Sequence, residues 1–198
     1  MKKIIARKIL LFTVSVFIFF PVFGGNSETY IVKQIQTDST KVKGLKKSEI
    51  YIQTTVDDSG KLFIITKDMR KIVMSKDSGQ VGFEKIAISE DGHSVGWLAD
   101  YPNLSTSYPI PLALRIYSDG ILHEFKGNEL PVWKWKFYSG SKQVAFEQET
   151  VHGDWGIHYE LRDIASEKLI DSFNPEYGPD NRVLKVQKNT PKWVKELD

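Results

Sequence analysis

The sequence predicts an all-β protein in which three four-stranded antiparallel meanders stack on one another. A phrase consisting of a strand, a polar turn and a second strand occurs three times, at residues 61–76, 112–127 and 158–173. Ile72, Leu122 and Ile170 hold equivalent places in it, 50 and then 48 residues apart. A period of this size indicates a repeat architecture. Alternation of apolar and polar residues dominates the chain, which favours strands over helices.

The elements can be assigned in order from this repeat. Ile86–Ile88 and Trp135–Phe137 read as first strands, and Val95–Trp97 and Val144–Phe146, 49 residues apart, read as second strands. The repeated phrase supplies the third and fourth strands. The predicted units are approximately 30–76, 83–127 and 133–173, the first being less regular and containing strands Tyr30–Gln36 and Glu49–Val56. Glycine-containing turns, Glu90-Asp91-Gly92 and Ser139-Gly140-Ser141, separate first and second strands.

The C-terminal segment 181–198 is predicted to cap the stack. Thr190 can N-cap a helix and Pro191 suits its first position. Trp193, Val194 and Leu197 would share one face, so we expect a short helix that packs on a sheet.

The segment Ile88–Asp100 (ISEDGHSVGWLAD) resembles the Ser–Pro–Asp–Gly phrase of TolB-type, WD40-like β-propeller repeats, with Glu90 in place of the usual proline. Phe137–Glu149 is a weaker copy that keeps Gly140 of the turn. The resemblance implies a propeller-like fold and says little about activity. Closed propellers have four to eight blades, so three units imply a partial or minimal β-propeller. A β-sandwich is the alternative.

The N-terminus reads as a secretory signal peptide. Four basic residues precede an apolar run, Ile9–Phe23, which Pro21 interrupts before small residues around Gly24. We expect residues 1–24 to be cleaved and 25–198 to form a single domain. An uncleaved anchor is the rival interpretation, but the run is shorter than the roughly 20 residues that a span needs. The expected localisation is exported, periplasmic or secreted, with no stable membrane span after cleavage.

Composition excludes several functions. Removing residues 1–24 changes the formal net charge from +2 to −2, so the mature chain has no basic excess for nucleic acid. The sequence contains no cysteine, which excludes disulfides, thiolate metal sites and a thiol nucleophile. No nucleophile-elbow or phosphate-binding glycine motif is present. We expect no cofactor.

The loops between second and third strands are the predicted binding rim, because equivalent loops of stacked repeats lie on one face. Tyr101 and Tyr108 lie in a proline-stiffened loop, and aromatic side chains there suit a sugar or peptide, although packing onto the sheet edges is the alternative role. The candidate residues are Asp57, Asp58, Tyr101, Asn103, Tyr108, His152, Asp154 and Trp155.

A second candidate is a polar cluster around the last hairpin. With a turn near Gly153, Glu147 and Glu149 are expected to share a sheet face with His158, Glu160 and Arg162. Carboxylates beside a histidine can bind a metal or act as acid and base. Structural ion pairing is the alternative, and we expect no metal.

These observations favour an exported, non-catalytic binding or assembly module that uses loops on one rim. Its expected partner is a protein or small polar ligand, peptide or glycan, of the cell envelope. Two alternatives remain open: a carboxylate–histidine hydrolase or metal-binding protein, and an envelope scaffold that self-associates through open strand edges.

Overall fold

The computed structural model describes residues 49–104, 106–126, 130–152, 156–178 and 189–197. Three antiparallel sheets and one short helix make up this part of the chain. Sheet 1 contains β1 (Tyr51–Val56), β2 (Leu62–Thr66) and β3 (Lys71–Met74). Sheet 2 contains β4 (Gly82–Ile88), β5 (Ser94–Tyr101), β6 (Ile110–Ser118) and β7 (Ile121–Lys126). Sheet 3 contains β8 (Val132–Tyr138), β9 (Gln143–Gln148), β10 (His158–Asp163) and β11 (Leu169–Phe173).

Each sheet is a meander in which neighbours along the chain pair antiparallel. The prediction of three antiparallel units is therefore confirmed, and the described strands form separate sheets, not a closed barrel. The repeated phrase forms the β2–β3, β6–β7 and β10–β11 hairpins. The predicted signal peptide 1–24, the predicted strand Tyr30–Gln36 and most of the segment that precedes the C-terminal helix lie outside the described residues.

The β4–β5 turn shows why the Ser-x-Asp-Gly phrase has its composition. Asp91 Oδ1 accepts hydrogen bonds from the Ser89 hydroxyl (2.6 Å) and the His93 amide (3.0 Å). The Ser94 amide donates to Ser89 Oγ at 2.9 Å. Gly92 has φ +75°, which favours glycine. The turn is closed by its own side chains, so its geometry is fixed locally.

Two apolar layers hold the sheets together. Leu62 and Ile64 of sheet 1 pack with Val95 and Trp97 of sheet 2, all nearly inaccessible. The opposite face of sheet 2 packs on sheet 3, and this layer includes Leu98, Leu114, Phe125, Val144 and Phe146. Sheet 2 is thus covered on both faces, which explains why every residue of β5 except the last is buried.

Gly96 sets the spacing between sheets 2 and 3. A Cβ placed on it would lie 2.6 Å from Ile116 Cδ1 and closer still to the indole ring of Trp135. The Trp135 Nε1 group donates to the Lys85 carbonyl at 3.1 Å, which anchors the ring across the sheet interface. The glycine of the Val-Gly-Trp sequence therefore makes room for a tryptophan of the next repeat.

The C-terminal helix α1 (Lys192–Lys195) covers the outer face of sheet 3. Trp193 and Val194 are buried against Ala145, Tyr159 and Leu161, and Trp193 Nε1 donates to Asp171 Oδ2 at 2.9 Å. The predicted terminal helix and its packing face are confirmed. The predicted cap is wrong, because Pro191 and not Thr190 is the N-cap residue, and no described side chain caps the helix. Among the described residues, no helix has the length and apolar character that crossing a membrane would require.

Candidate functional site

Successive connections of a meander alternate between two ends of the sheets, which gives the stack two rims. The turn rim consists of the tight turns at residues 67–70, 89–93, 119–120, 139–142 and 164–168. The loop rim consists of the described parts of the connections 57–61, 75–81, 102–109, 127–131 and 149–157. The predicted binding residues that the structure describes lie on this loop rim or, for Tyr101, at the end of the strand that leads into it.

On the loop rim, Tyr101 belongs to a buried ion-pair network centred on Arg115. Arg115, 5% exposed, donates to Glu124 Oε2 (2.9 Å), Gln80 Oε1 (2.8 Å) and the Tyr101 hydroxyl (3.1 Å), and it also pairs with Asp77. The Tyr101 hydroxyl donates to Asp77 Oδ2 at 2.7 Å. Burial, followed by the bond to Asp77, raises the pKa of Tyr101 to about 12. These bonds fix the connection between sheets 1 and 2, so Tyr101 has a structural role.

The other predicted loop residues that the structure describes belong to three connections, 57–61, 102–109 and 149–157. Asp57 closes the β1–β2 turn by accepting from the Ser59 hydroxyl (2.7 Å) and the Lys61 amide (2.9 Å). Asp58 and His152 are exposed, Tyr108 is 51% exposed, and the Asn103 carbonyl accepts from the Thr106 amide. Asp154 and Trp155 lie outside the described residues. A shared binding face on this rim stays a prediction.

The predicted polar cluster is divided between two faces of sheet 3. The β9–β10 register pairs Glu147 with Tyr159 and Gln148 with His158. Directly paired residues point to the same side of a sheet, so Glu147 lies on the face opposite to His158. The expectation that Glu147 shares a face with His158, Glu160 and Arg162 is wrong, because a one-residue difference in register reverses every side chain.

The remaining members form a chain of ion pairs. Glu160, 2% exposed, accepts from Arg162 Nε at 2.5 Å and lies 3.2 Å from His158 Nε2. Glu147 pairs instead with Lys134 at 3.1 Å, and the Glu149 backbone bonds to β8. Glu147, Glu160 and Arg162 are thus each paired locally, as in structural ion pairing. Across the described residues, no group of three or more His, Asp and Glu is arranged to hold a metal ion.

A cavity of about 380 Å³ opens at the turn rim between sheets 2 and 3. Turns of four hairpins meet there, two from each sheet. Its lining is polar apart from three small or aliphatic side chains, and consists of Asp91, His93, Ser94, Ser118, Asp119, Ile121, His123, Ser141, Lys142, Asp163, Ile164 and Ala165. A concave site with several convergent polar groups is the usual form of a small-molecule site.

His123 is the most constrained polar group of this cavity. It lies on β7 and is 6% exposed, and its Nδ1 is 2.9 Å from Glu167 Oε1 of the β10–β11 turn. An ionised carboxylate only accepts hydrogen bonds, so Nδ1 carries the proton and donates it. In the tautomer with its single proton on Nδ1, Nε2 is an acceptor. Among the described residues, no hydrogen-bond partner contacts Nε2.

Two carboxylates of the cavity are fixed by bonds within their own turns. Burial acts to raise the pKa of Asp91, but the Ser89 hydroxyl and the His93 amide outweigh it and hold that pKa below its usual value. For Asp163, the Ser166 hydroxyl (2.6 Å) and amide (2.9 Å) lower the pKa. Both groups are therefore ionised at neutral pH and point in fixed directions.

Sequence reasoning missed this cavity because its members come from different repeats. His123 and Glu167 are 44 residues apart and meet only when sheets 2 and 3 stack. The available signal was the period itself, since the turns at 89–93 and 139–142 hold equivalent positions in neighbouring units and must lie on one rim.

No family model matches this chain, and no match was found among the curated proteins compared with it.

Proposed function

We propose that this protein is an exported, non-catalytic binding module whose ligand site is the turn-rim cavity between sheets 2 and 3. The observation that carries the proposal is the convergence of four hairpin turns on one cavity that mostly polar side chains line. The basic and apolar N-terminal segment supports export. The ligand is a small polar molecule, or one residue of a peptide or glycan.

The size of the cavity supports this ligand class. Small-molecule sites occupy roughly 300–1,000 Å³, and about 380 Å³ is near the lower limit. The space suits one amino acid or one sugar ring. Because Asp91 and Asp163 are fixed by bonds within their own turns, binding requires little ordering of these two groups, which favours affinity.

The arrangement of hydroxyl groups supports binding without turnover. Ser94 Oγ donates to Ser118 Oγ at 2.8 Å, and in the described part of the chain neither hydroxyl is bonded to His123. A serine nucleophile requires a base within hydrogen-bond reach.

The proposal is tested by filling the cavity. Ala165 is exposed at its mouth, so Ala165→Trp should obstruct the space without disturbing the core. Asp58→Trp, at an exposed turn of the loop rim, is the matched control. Wild-type protein and each variant are screened by thermal shift and calorimetry against amino acids, short peptides and monosaccharides of the cell envelope.

We expect a ligand that stabilises the wild-type protein and the Asp58→Trp variant and fails to stabilise Ala165→Trp. Equal binding by all three proteins would place the site elsewhere and overturn the proposal.

A hydrolase is the second candidate, favoured by the Glu167–His123 pair alone. A carboxylate that orients an imidazole can support general-base catalysis on a bound water. This alternative requires turnover of an ester or glycoside that disappears in His123→Asn, a variant whose amide still donates to Glu167 but has no Nε2. Binding without turnover in the wild-type protein would reject it.

A further inference from the structure

The charge balance of the cavity favours a cationic ligand. Asp91, Asp119 and Asp163 line it, against the single ammonium of Lys142. Glu167 is a fourth carboxylate close to the cavity, since its Oε1 lies 2.9 Å from Nδ1 of the lining residue His123. Like charges gathered at a concave surface concentrate the field and attract a ligand of opposite sign.

Acceptors also outnumber donors at the site. The carboxylates accept hydrogen bonds, and so does His123 Nε2 in the tautomer that places the single ring proton on Nδ1, beside Glu167. A protonated primary amine has three N–H donors and no acceptor, so it is the common group that best matches such a lining. Charge-assisted bonds of this kind are about twice as strong as neutral ones.

The cavity lining also contains aliphatic side chains. Ile121 is 58% exposed although it lies on a strand, and Ile164 is buried. An exposed aliphatic side chain beside fixed carboxylates suits the carbon stem of an amine. Lys142, which is exposed, remains available for a carbonyl or hydroxyl group of the same ligand.

We propose that the cavity binds a primary ammonium group carried on a short carbon stem, with the ammonium among the aspartates and His123 Nε2 and the stem on Ile121. This rests on the proposed function and specifies its ligand. Two sources supply the group, a lysine side chain of a peptide and an amino sugar of a glycan.

The first experiment compares amines with neutral molecules of the same shape. The probes are Nα-acetyl-lysine methylamide against Nα-acetyl-norleucine methylamide, and glucosamine against glucose, measured by calorimetry with the mature protein. We expect at least one amine to bind about tenfold tighter than its neutral counterpart, because the neutral molecule lacks one charge-assisted hydrogen bond. The pair showing the preference identifies the source.

The outcomes separate this inference from the proposed function. Equal affinity of amine and neutral probe, with binding lost in Ala165→Trp, keeps the cavity as the binding site and overturns the ammonium. Amine binding that persists unchanged in Ala165→Trp overturns both.

The second experiment assigns the ammonium contacts. Asp119→Asn removes one charge, and asparagine tolerates the φ of +51° at this position. His123→Asn removes the Nε2 acceptor. We expect each variant to bind the preferred amine about tenfold more weakly, with no change for the neutral probe. Glu84→Gln, which removes an exposed carboxylate of β4 outside the cavity, is the control. Unchanged amine affinity in both cavity variants contradicts the proposal.

Discussion

The two rims of the stack use the same residue types for opposite purposes. On the loop rim, the long connections are fixed by Arg115, whose guanidinium satisfies Asp77, Glu124 and the Tyr101 hydroxyl inside the fold. On the turn rim, the turns close themselves through their own serines and aspartates. Self-closed turns leave the space between hairpins open, whereas the connection held by Arg115 fills it. The comparison teaches that loop length alone does not locate a binding surface.

Arg115→Ala should have the largest effect, since it removes the centre of the loop-rim network. Among the described residues, Asp77 then keeps only the Tyr101 hydroxyl and Glu124 only the exposed Lys126 as side-chain partners. We expect a loss of about 3 kcal/mol in the free energy of unfolding, measured by urea denaturation. Arg70→Ala, which breaks only exposed pairs with Glu49 and Asp68, is the control and should change little. Equal losses of unfolding free energy in the two variants would mean that the Arg115 network stabilises the fold no more than an exposed ion pair does.

Gly96→Ala tests the interface from which the turn-rim cavity opens. The added methyl group would meet the Trp135 ring and Ile116, so we expect a loss of about 2 kcal/mol from overpacking. The readout is the thermal midpoint together with Trp fluorescence. Gly140→Asn, at a site with open space and φ +61°, should be nearly neutral. A neutral Gly96→Ala would mean that the two sheets separate easily.

Asp100 gives the loop-rim end of β5 a pH dependence. Burial, with a smaller contribution from Glu84, raises its pKa from 3.8 to about 6. The folded state therefore holds this proton between about pH 4 and 6 while the unfolded chain releases it, so this contribution to stability falls as pH rises through that range. We expect Asp100→Asn to flatten the slope and to be more stable at pH 7 by about 1 to 2 kcal/mol. If the slope of stability against pH persists in Asp100→Asn, another titrating group is responsible for it.

Ser89→Ala should have the smallest effect on stability and should act on the turn rim. The hydroxyl donates to Asp91 and accepts from the Ser94 amide, so its loss should cost about 1 kcal/mol. Asp91 would also lose one of the bonds that direct it and keep the one from the His93 amide, so we expect ligand affinity at the cavity to fall while the loop rim stays unchanged. Hydrogen exchange localised to residues 89–94 is the check. A larger loss of hydrogen-exchange protection at residues 75–81 than at residues 89–94 would show that the two rims are not independent.

The three sheets could be predicted from the sequence because the patterns that indicate them are local. The period, the alternation and the Ser-x-Asp-Gly turn each lie within one unit, and α1 carries its own apolar face. The contacts that build the sites are not local: Arg115 meets Asp77 across 38 residues, and His123 meets Glu167 across 44. The alternating pattern of a strand does not show whether its pairing with the next strand is shifted by one residue. The expected face of Glu147 was wrong for this reason, since a shift of one residue reverses every side chain.

The position of α1 determines where this architecture can be lengthened. A repeat added after β11 would have to displace Trp193 and Val194 from sheet 3, and with them the bond to Asp171. A unit duplicated within the chain, ahead of β8, meets no such obstacle, since each sheet already presents a neighbour-binding face. Evolution or an engineer would therefore extend the stack by internal duplication, and a fusion partner placed directly against Leu197 would compete with the helix for its own docking face.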